Sequence, residues 1–226
     1  MVLPRRTLQT TDRRTRLTRE RVLRAATALA DRGGLEALTM RALADDLGVA
    51  PMALYRHVAN KEDLVDGLVD LVSREIELPT ATGDWATSMR QRAISLRDAL
   101  LRHRWAINLM DSRVNPGPAN LRHHDAVIAS LRAGGFDMEL VAHVYSLLDA
   151  YIYGFALTRM NLPFDSTTDI AEMAQEMLEP YPHDEYPNLV AFVTEHALKP
   201  GYDFANEFEY GLDLILDNIG GARPPA

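Results

Sequence analysis

An all-α fold is predicted, with an N-terminal three-helix helix-turn-helix head and a larger helical domain behind it. Three observations carry the prediction. Apolar residues recur at helical spacing in long segments broken by glycine and proline, no stretch alternates as a half-buried strand would, and residues 38–61, LTMRALADDLGVAPMALYRHVANK, read as two short helices meeting at a glycine. A chain of 226 residues buries a core of ordinary size, but a head of about 60 residues is marginal alone, so two domains are expected.

Taken in order, residues 1–16, MVLPRRTLQTTDRRTR, have no helical period and are expected to form a flexible basic arm, with a disordered tail or a misassigned start as alternatives. Thr39 stands where a helix begins, its hydroxyl free to cap a backbone N–H, and Leu43, Ala44 and Leu47 follow at helical spacing. Gly48 then supplies a left-handed turn, and Pro51, which has no N–H to leave unpaired, suits the opening of the next helix. There Leu54 and Val58 pack inward. Ala53 and Arg56 face outward, with Tyr55, His57 and Lys61 at the flanks. Ala44 is small where the two helices cross, as a helix-turn-helix requires.

A bare corner of this kind also occurs in helical proteins that never touch DNA, so charge has to be weighed. Residues 1–61 hold 12 Lys or Arg against 6 Asp or Glu, and residues 62–226 hold 12 against 26, within a total net charge of −8. An acidic protein with one basic end presents a single cationic face to phosphates and keeps the rest repelled.

The run LTMRALADDLGVAPMALYRHVANKEDLVDGL resembles the signature of the TetR family of bacterial repressors, and LGV, LY, HV and NK at their spacing resemble its tetracycline-repressor branch. LRDALLRHR at 96–104 before SRVNPGP, and Gly-Gly-Phe at 134–136, extend the likeness across nearly the whole chain. The resemblance implies a first helix at 17–32, carrying Val22, Ala25, Ala26 and Leu29 on one face. It also implies a connecting helix at about 60–78, capped by Asn60 and continued by Leu64, Leu68, Leu71 and Val72. The domains are then an arm at 1–16, a DNA-binding head at 17–61 and an effector-binding and dimerisation domain at 62–220.

Downstream of Pro79, helices are expected near 84–104, 106–113, 117–133, 137–161, 168–178, 187–197 and 203–219. The irregular segment 163–187, with YPHDEYP inside it, reads as a functional loop or a plain connection. Residues 140–157 are apolar nearly all round, and 204–219 carry Phe204, Phe208, Leu212, Ile215 and Ile219 on one broad face. A core helix would show the same pattern. TetR-like proteins pair helices at these positions into a four-helix bundle, so the resemblance implies a homodimer through 137–161 and 203–219, reading an inverted-repeat operator in duplex DNA.

By the same resemblance Arg41, Pro51, Met52, Ala53 and Arg56 approach base edges, while Thr39, Tyr55, His57 and Lys61 match phosphate contacts. Arg41 and Arg56 are the strongest candidates for sequence reading, since arginine bridges guanine O6 and N7. Arg13, Arg14 and Arg16 are near enough to add phosphate contacts. Pro51, Met52, Ala53 and Arg56 depart from the polar or aromatic residues of the tetracycline repressor, which implies a different operator.

In that branch a histidine and a glutamate hold the drug's magnesium. Their places here fall to Met110 and Thr158, neither of which suits a hard cation, and two ring-gripping positions become Arg92 and Leu96. The remaining pocket candidates are Leu71, Trp105, Asn108 and Arg113, with Tyr145, Asp149, Tyr153 and Met177, a mixture that suits an amphipathic small molecule. Trp105 and Met110 also fit a plain core, and Arg113 also fits solvent. His123-His124-Asp125 points in different directions on a helix and makes no metal set.

No cysteine is present, so no disulfide or thiolate zinc site is available. No run of 18 apolar residues and no secretory segment is found, and a cytoplasmic protein without a membrane partner is expected. Nucleophile elbow, phosphate loop and His-Glu-x-x-His are all missing, so no catalytic residue, metal or cofactor is assigned. The remaining alternatives are a DNA-binding or interaction protein without a ligand switch, or an all-α enzyme.

Overall fold

A computed structural model describes residues 16–110, 112–162, 176 and 185–221, and those residues are helices and turns. The chain divides into two compact units, Met1–Leu68 and Val69–Ala226.

In the first unit, α1 spans Arg19–Ala37, α2 Met40–Leu47 and α3 Pro51–Leu54, and α4, Lys61–Ser73, begins there. Thr18 caps α1, its side chain accepting from the Arg21 N–H at 3.2 Å. This first helix outruns the expected 17–32: helical geometry fails only at Gly34, with φ of 71°, and a last turn follows to Ala37. Thr39 caps α2 as expected, its hydroxyl accepting from the Ala42 N–H at 3.1 Å. Gly48 ends α2 at φ 67° and ψ 35°, donating its N–H to the carbonyls of Ala44 and Asp45. A side chain is strained in that left-handed conformation, which is why the turn is a glycine. Val22, Leu23, Ala26, Ala30, Leu38, Leu43, Ala44, Leu54, Val58, Leu64, Val65 and Leu68 form the buried apolar set of this unit.

In the second unit the connecting helix stops at Ser73, five residues short of the expected 78. Tertiary burial overrides the helical pattern there: the chain turns inward to bury Ile76, and the Glu77 N–H donates to Ser95 Oγ at 2.9 Å. Next come α5, Trp85–Arg102, α6, Pro118–Ala133, and α7, Met138–Asn161. Asp84 and Asp137 cap α5 and α7 through the N–H groups of Thr87 and Leu140.

The helix expected at 106–113 is instead a 3-10 turn, Arg104–Ala106, followed by turns through Met110. His103 leaves helical geometry at φ −112° and ψ 63°, and Pro116 and Pro118 push their predecessors toward extended backbone.

Past the undescribed residues, α8 spans Pro187–Phe192 and passes into a π turn, Val193–Ala197, before α9, Ala205–Gly221. The helix expected at 168–178 lies outside the described residues except for Glu176, which is helical. Most of the segment 163–187, and residues 1–15 of the arm, lie outside them as well.

The larger core includes Val69, Val72, Trp85, Met89, Leu96, Leu100, Leu131, Phe136, Leu148, Ile152, Phe208 and Leu212. Two aromatic contacts and a backbone anchor fix its helices. Trp85 meets Phe136 edge-on at 4.8 Å, Phe155 stacks on Phe204 at 5.1 Å, and the Tyr151 hydroxyl on α7 donates to the Phe208 carbonyl on α9 at 2.9 Å.

Candidate DNA-reading face and buried polar cluster

The helix-turn-helix corner leaves its polar side chains in solvent. Thr39, Arg41, Pro51, Met52, Tyr55, Arg56 and Lys61 are exposed, and Ala53 and His57 are half-buried. Met52 is 74% exposed, an apolar side chain held in water beside Arg56. Among the described residues, the guanidinium groups of Arg41 and Arg56 and the ammonium of Lys61 enter no protein hydrogen bond or ion pair, so they are available to a polyanion.

Residues that the spacing did not single out hold this corner in place. The Arg19 guanidinium donates to the His57 carbonyl at 2.7 Å and grips the Asp63 carboxylate with two N–H groups at 2.7 and 3.1 Å. Asp63 also accepts from the Ala59 N–H, and its own N–H donates to the Asn60 side chain, the cap expected for α4. Arg19 ties the end of the reading segment to the start of α4. The fork holds the Asp63 carboxyl below the usual carboxylate range, despite some opposing desolvation. An arginine separated by 44 residues from its carboxylate leaves no local spacing signal.

In the larger unit, polar groups sit in the core. Arg92, 1% exposed, donates through Nη2 to Asp149 Oδ1 at 2.6 Å and through Nε to His123 Nε2 at 3.2 Å. Its Nη1 is buried without a partner. The guanidinium also lies over the Tyr145 ring, 5.3 Å from its centroid, and the Tyr145 hydroxyl bonds His124 Nδ1. Burial, and then the neighbouring Arg92 and His124, push His123 down to about 3, so its ring is neutral and accepts at Nε2. One turn earlier on α6, Asn120 Oδ1 is buried and unpartnered, while its amide nitrogen reaches the Met110 carbonyl at 3.5 Å.

Arg92, Tyr145 and Asp149 are therefore brought together and joined by His123, with Asn120 one turn before it on α6. Neither of those was expected at a pocket, although polar residues at core-facing positions of α6 beside Val127 and Leu131 were a usable signal. Leu96 and Met110 are core residues, Trp105 and Tyr153 pack partly buried against the same core, and Leu71 and Arg113 are half-buried. Asn108 is exposed, Thr158 donates to its own helix at the Gly154 carbonyl, and Met177 lies outside the described residues.

Asp70 is a further buried group without a sequence signal. Its carboxylate accepts from the Ala119 N–H at 2.7 Å and pairs with Arg74 at 2.7 Å. It thereby caps α6, whose own N-cap residue, Gly117, has no side chain to do so. A Cβ on Gly117 would meet Asp70 Oδ1 at 2.2 Å.

Comparison with known proteins places both units. Residues 22–68 match the model of bacterial regulatory proteins of the tetR family, and residues 78–221 match the tetracyclin repressor-like C-terminal domain. The chain belongs to the TetR family. It is a helix-turn-helix, DNA-binding transcriptional regulator with a larger helical domain behind the head. The transcriptional repressor DrrR1 of Streptomyces coeruleorubidus is 33% identical over 216 residues, covering 90% of this chain and 77% of the relative. The class D tetracycline repressor of Escherichia coli is 30% identical over 216 residues, covering 92% and 96%. Among solved structures, the TetR family protein ActR of Streptomyces coelicolor in complex with actinorhodin superimposes with a TM-score of 0.73 at 30% identity, covering 93% of this chain and all of that one.

Proposed function

We propose that this TetR-family chain is a non-catalytic, cytoplasmic repressor that binds an inverted-repeat operator as a homodimer and is released by a small amphipathic effector. The carrying observation is the exposed corner on which Arg41, Arg56 and Lys61 stand without partners among the described residues. Arg41 and Arg56 read bases, Pro51, Met52 and Ala53 supply apolar contact, and Thr39, Tyr55, His57 and Lys61 position the head on phosphates.

The dimer reading is supported by an uncovered apolar face on α7 and α9. Leu140, His143, Val144 and Leu147 line a groove of about 440 Å3 with Leu214, Ile215, Asn218 and Ile219, and Leu147 and Leu214 stay about half exposed in the single chain. Helix α7 is long and apolar enough to cross a membrane by length and composition. A second copy covers such a face equally well, and the aspartate and histidine along α7 favour that partner over lipid.

Effector binding beside α4 favours an arrangement of the two heads that no longer fits the operator. It does so only by its difference in affinity between the two states. A magnesium-chelated drug is disfavoured as that effector, because Met110 and Thr158 stand where the chelate's ligands would be.

The experiment is selection of duplexes from a random pool by the purified full chain, followed by a salt titration of the enriched site. The expected result is an inverted repeat with a steep salt slope. Arg56→Ala should lose about 1–3 kcal/mol of discrimination at one base position in each half-site and leave thermal unfolding unchanged. Unchanged preference in that variant removes Arg56 from the reading set. No enrichment by a folded dimer removes the operator reading altogether.

A further inference from the structure

We infer that His143 and Asn218 fix the second copy on the apolar groove of α7 and α9, the imidazole of each protomer donating to the amide oxygen of the other, and that acid opens the dimer by charging His143. The inference rests on the homodimer reading above and names the polar contact that sets its register and its dependence on pH.

The groove is lined by Leu140, Val144, Leu147, Leu214, Ile215 and Ile219, and by two polar side chains, His143 and Asn218. Both polar residues are exposed in the single chain. Asn218 donates through its amide nitrogen to the Leu214 carbonyl of its own helix at 2.7 Å, which leaves its side-chain oxygen as an acceptor. His143 enters no hydrogen bond or ion pair among the described residues. Once a second copy excludes water, both groups have to be paired, because a buried polar group without a partner costs more than a hydrogen bond gains.

A neutral imidazole carries one N–H, and Asn218 offers one oxygen. A two-fold contact that joins His143 of one copy to Asn218 of the other joins Asn218 of the first to His143 of the second, so one pair of residue types makes two bonds. In an otherwise apolar seam such a pair permits a single register, since sliding one helix along the other sets polar groups against leucine. Gly154, eleven residues further along the same face of α7, leaves open space where a side chain would stand, which lets a second helix come close.

An imidazole takes up its proton between about pH 5 and 8. No carboxylate lines the groove to meet that charge. Glu139, one turn earlier on α7, is exposed to water, where an ion pair gains little. On α9, Glu209 and Asp213 pair with Arg90 of α5, Asp217 follows Asp213 along that flank, and Glu207 meets His196. Helices α5 and α6 reach another side of α7, where Arg92 and His124 meet Tyr145 and Asp149. Protonation therefore places two like charges in a seam that has to desolvate them. The free protomer, with its ring in water, takes the proton more readily than the dimer does, so acid favours separation. A separated protomer carries one head and holds one half-site, and the operator is released without any effector.

The test is sedimentation velocity of the full-length protein, without DNA, at about pH 7.5 and about pH 5.5 in matched salt, with circular dichroism at both to verify the fold. The dimer dissociation constant should rise by at least about tenfold on acidification. His143→Gln keeps an N–H for Asn218 and takes no charge, so its constant should be the same at both pH values. Asn218→Asp sets a carboxylate opposite the ring and should reverse the sign, giving the tighter dimer in acid, a reversal that loss of packing alone does not produce. The inference is overturned by a pH-independent constant in the unaltered protein, by an acid response that survives His143→Gln, or by an unreversed Asn218→Asp, and each of those results leaves the homodimer standing. A folded protein that is monomeric at both pH values at micromolar concentration sinks the homodimer reading, and this inference with it.

Discussion

Among the described residues of the first unit, every side chain in the buried set is apolar, from Val22 to Leu68. The second unit buries Asp70, Ser73, Ser88, Arg92, His103, Asn120, His123 and Ser130 alongside its aliphatic core. Both units belong to one regulator, yet they treat polar groups in opposite ways. A surface that meets a long polyanion can leave its charges hydrated until the partner arrives, because many phosphate contacts sum to an affinity. A site for a small molecule must recognise with few contacts. Each one counts for more where water is excluded, and an unfilled donor there is correspondingly costly.

The largest test of that contrast strikes the head, whose small apolar core has little to spare. Leu43→Ala should cost about 2–5 kcal/mol, since Leu43 is fully buried. Both tryptophans lie in the second unit, so helicity followed by circular dichroism should fall at lower temperature while tryptophan emission keeps its original transition. Coincident shifts of both signals would show the two units melting as one.

The next tests strike buried polar groups. Gly117→Ala should destabilise by about 1–3 kcal/mol, because the new methyl displaces the Asp70 carboxylate from Ala119. Asp70→Ala in the same background should recover part of that loss if the clash is the cause.

A pH effect of similar size follows from His123, which is held near 3 in the folded chain and returns to about 6.5 on unfolding. The unfolded chain takes the proton first, so stability present above about pH 6.5 falls as the pH drops toward 3, by roughly 2 kcal/mol at about pH 5. His123→Gln, which can still accept from Arg92 through its amide oxygen, should flatten that limb in a denaturant titration series.

The smallest effect belongs to the head's exposed ion pair. Arg19→Lys gives up the two-pronged grip on Asp63 and should cost less than about 1 kcal/mol, with both groups substantially solvated. Operator affinity should drop further than stability, because the carbonyl of His57 loses its tie at the same time.

Much of the head was legible because its signals are local. A hydroxyl at Thr39, a glycine at 48 and a proline at 51 each act on the backbone beside them, and their spacing names the turn without reference to anything distant. The long helices α5, α6, α7 and α9 were legible for the same reason, through period and caps. Elements decided by tertiary contact were not. The connecting helix stops early so that Ile76 can be buried, and 106–110 turns instead of coiling.

The polar cluster joins α5 to α6 and α7 across 31 and 57 residues, a pairing that no periodicity records. Arg92 entered the expected site only through its position in a related family. Asn120 and His123 were visible as polar residues on an apolar stripe, a weaker clue that gains meaning once the helices are packed together.

Gly117 and Asp70 bind each other's fate in evolutionary terms. A mutation at 117 to any residue with a side chain expels the carboxylate, and a mutation at 70 to an apolar residue strips the first turn of α6 of its cap. Each single step lowers fitness through folding before any new effector can be sampled. Descendants that answer to a different signal by reshaping the entrance of α6 must therefore change the two positions together, or first acquire stability elsewhere to survive the crossing.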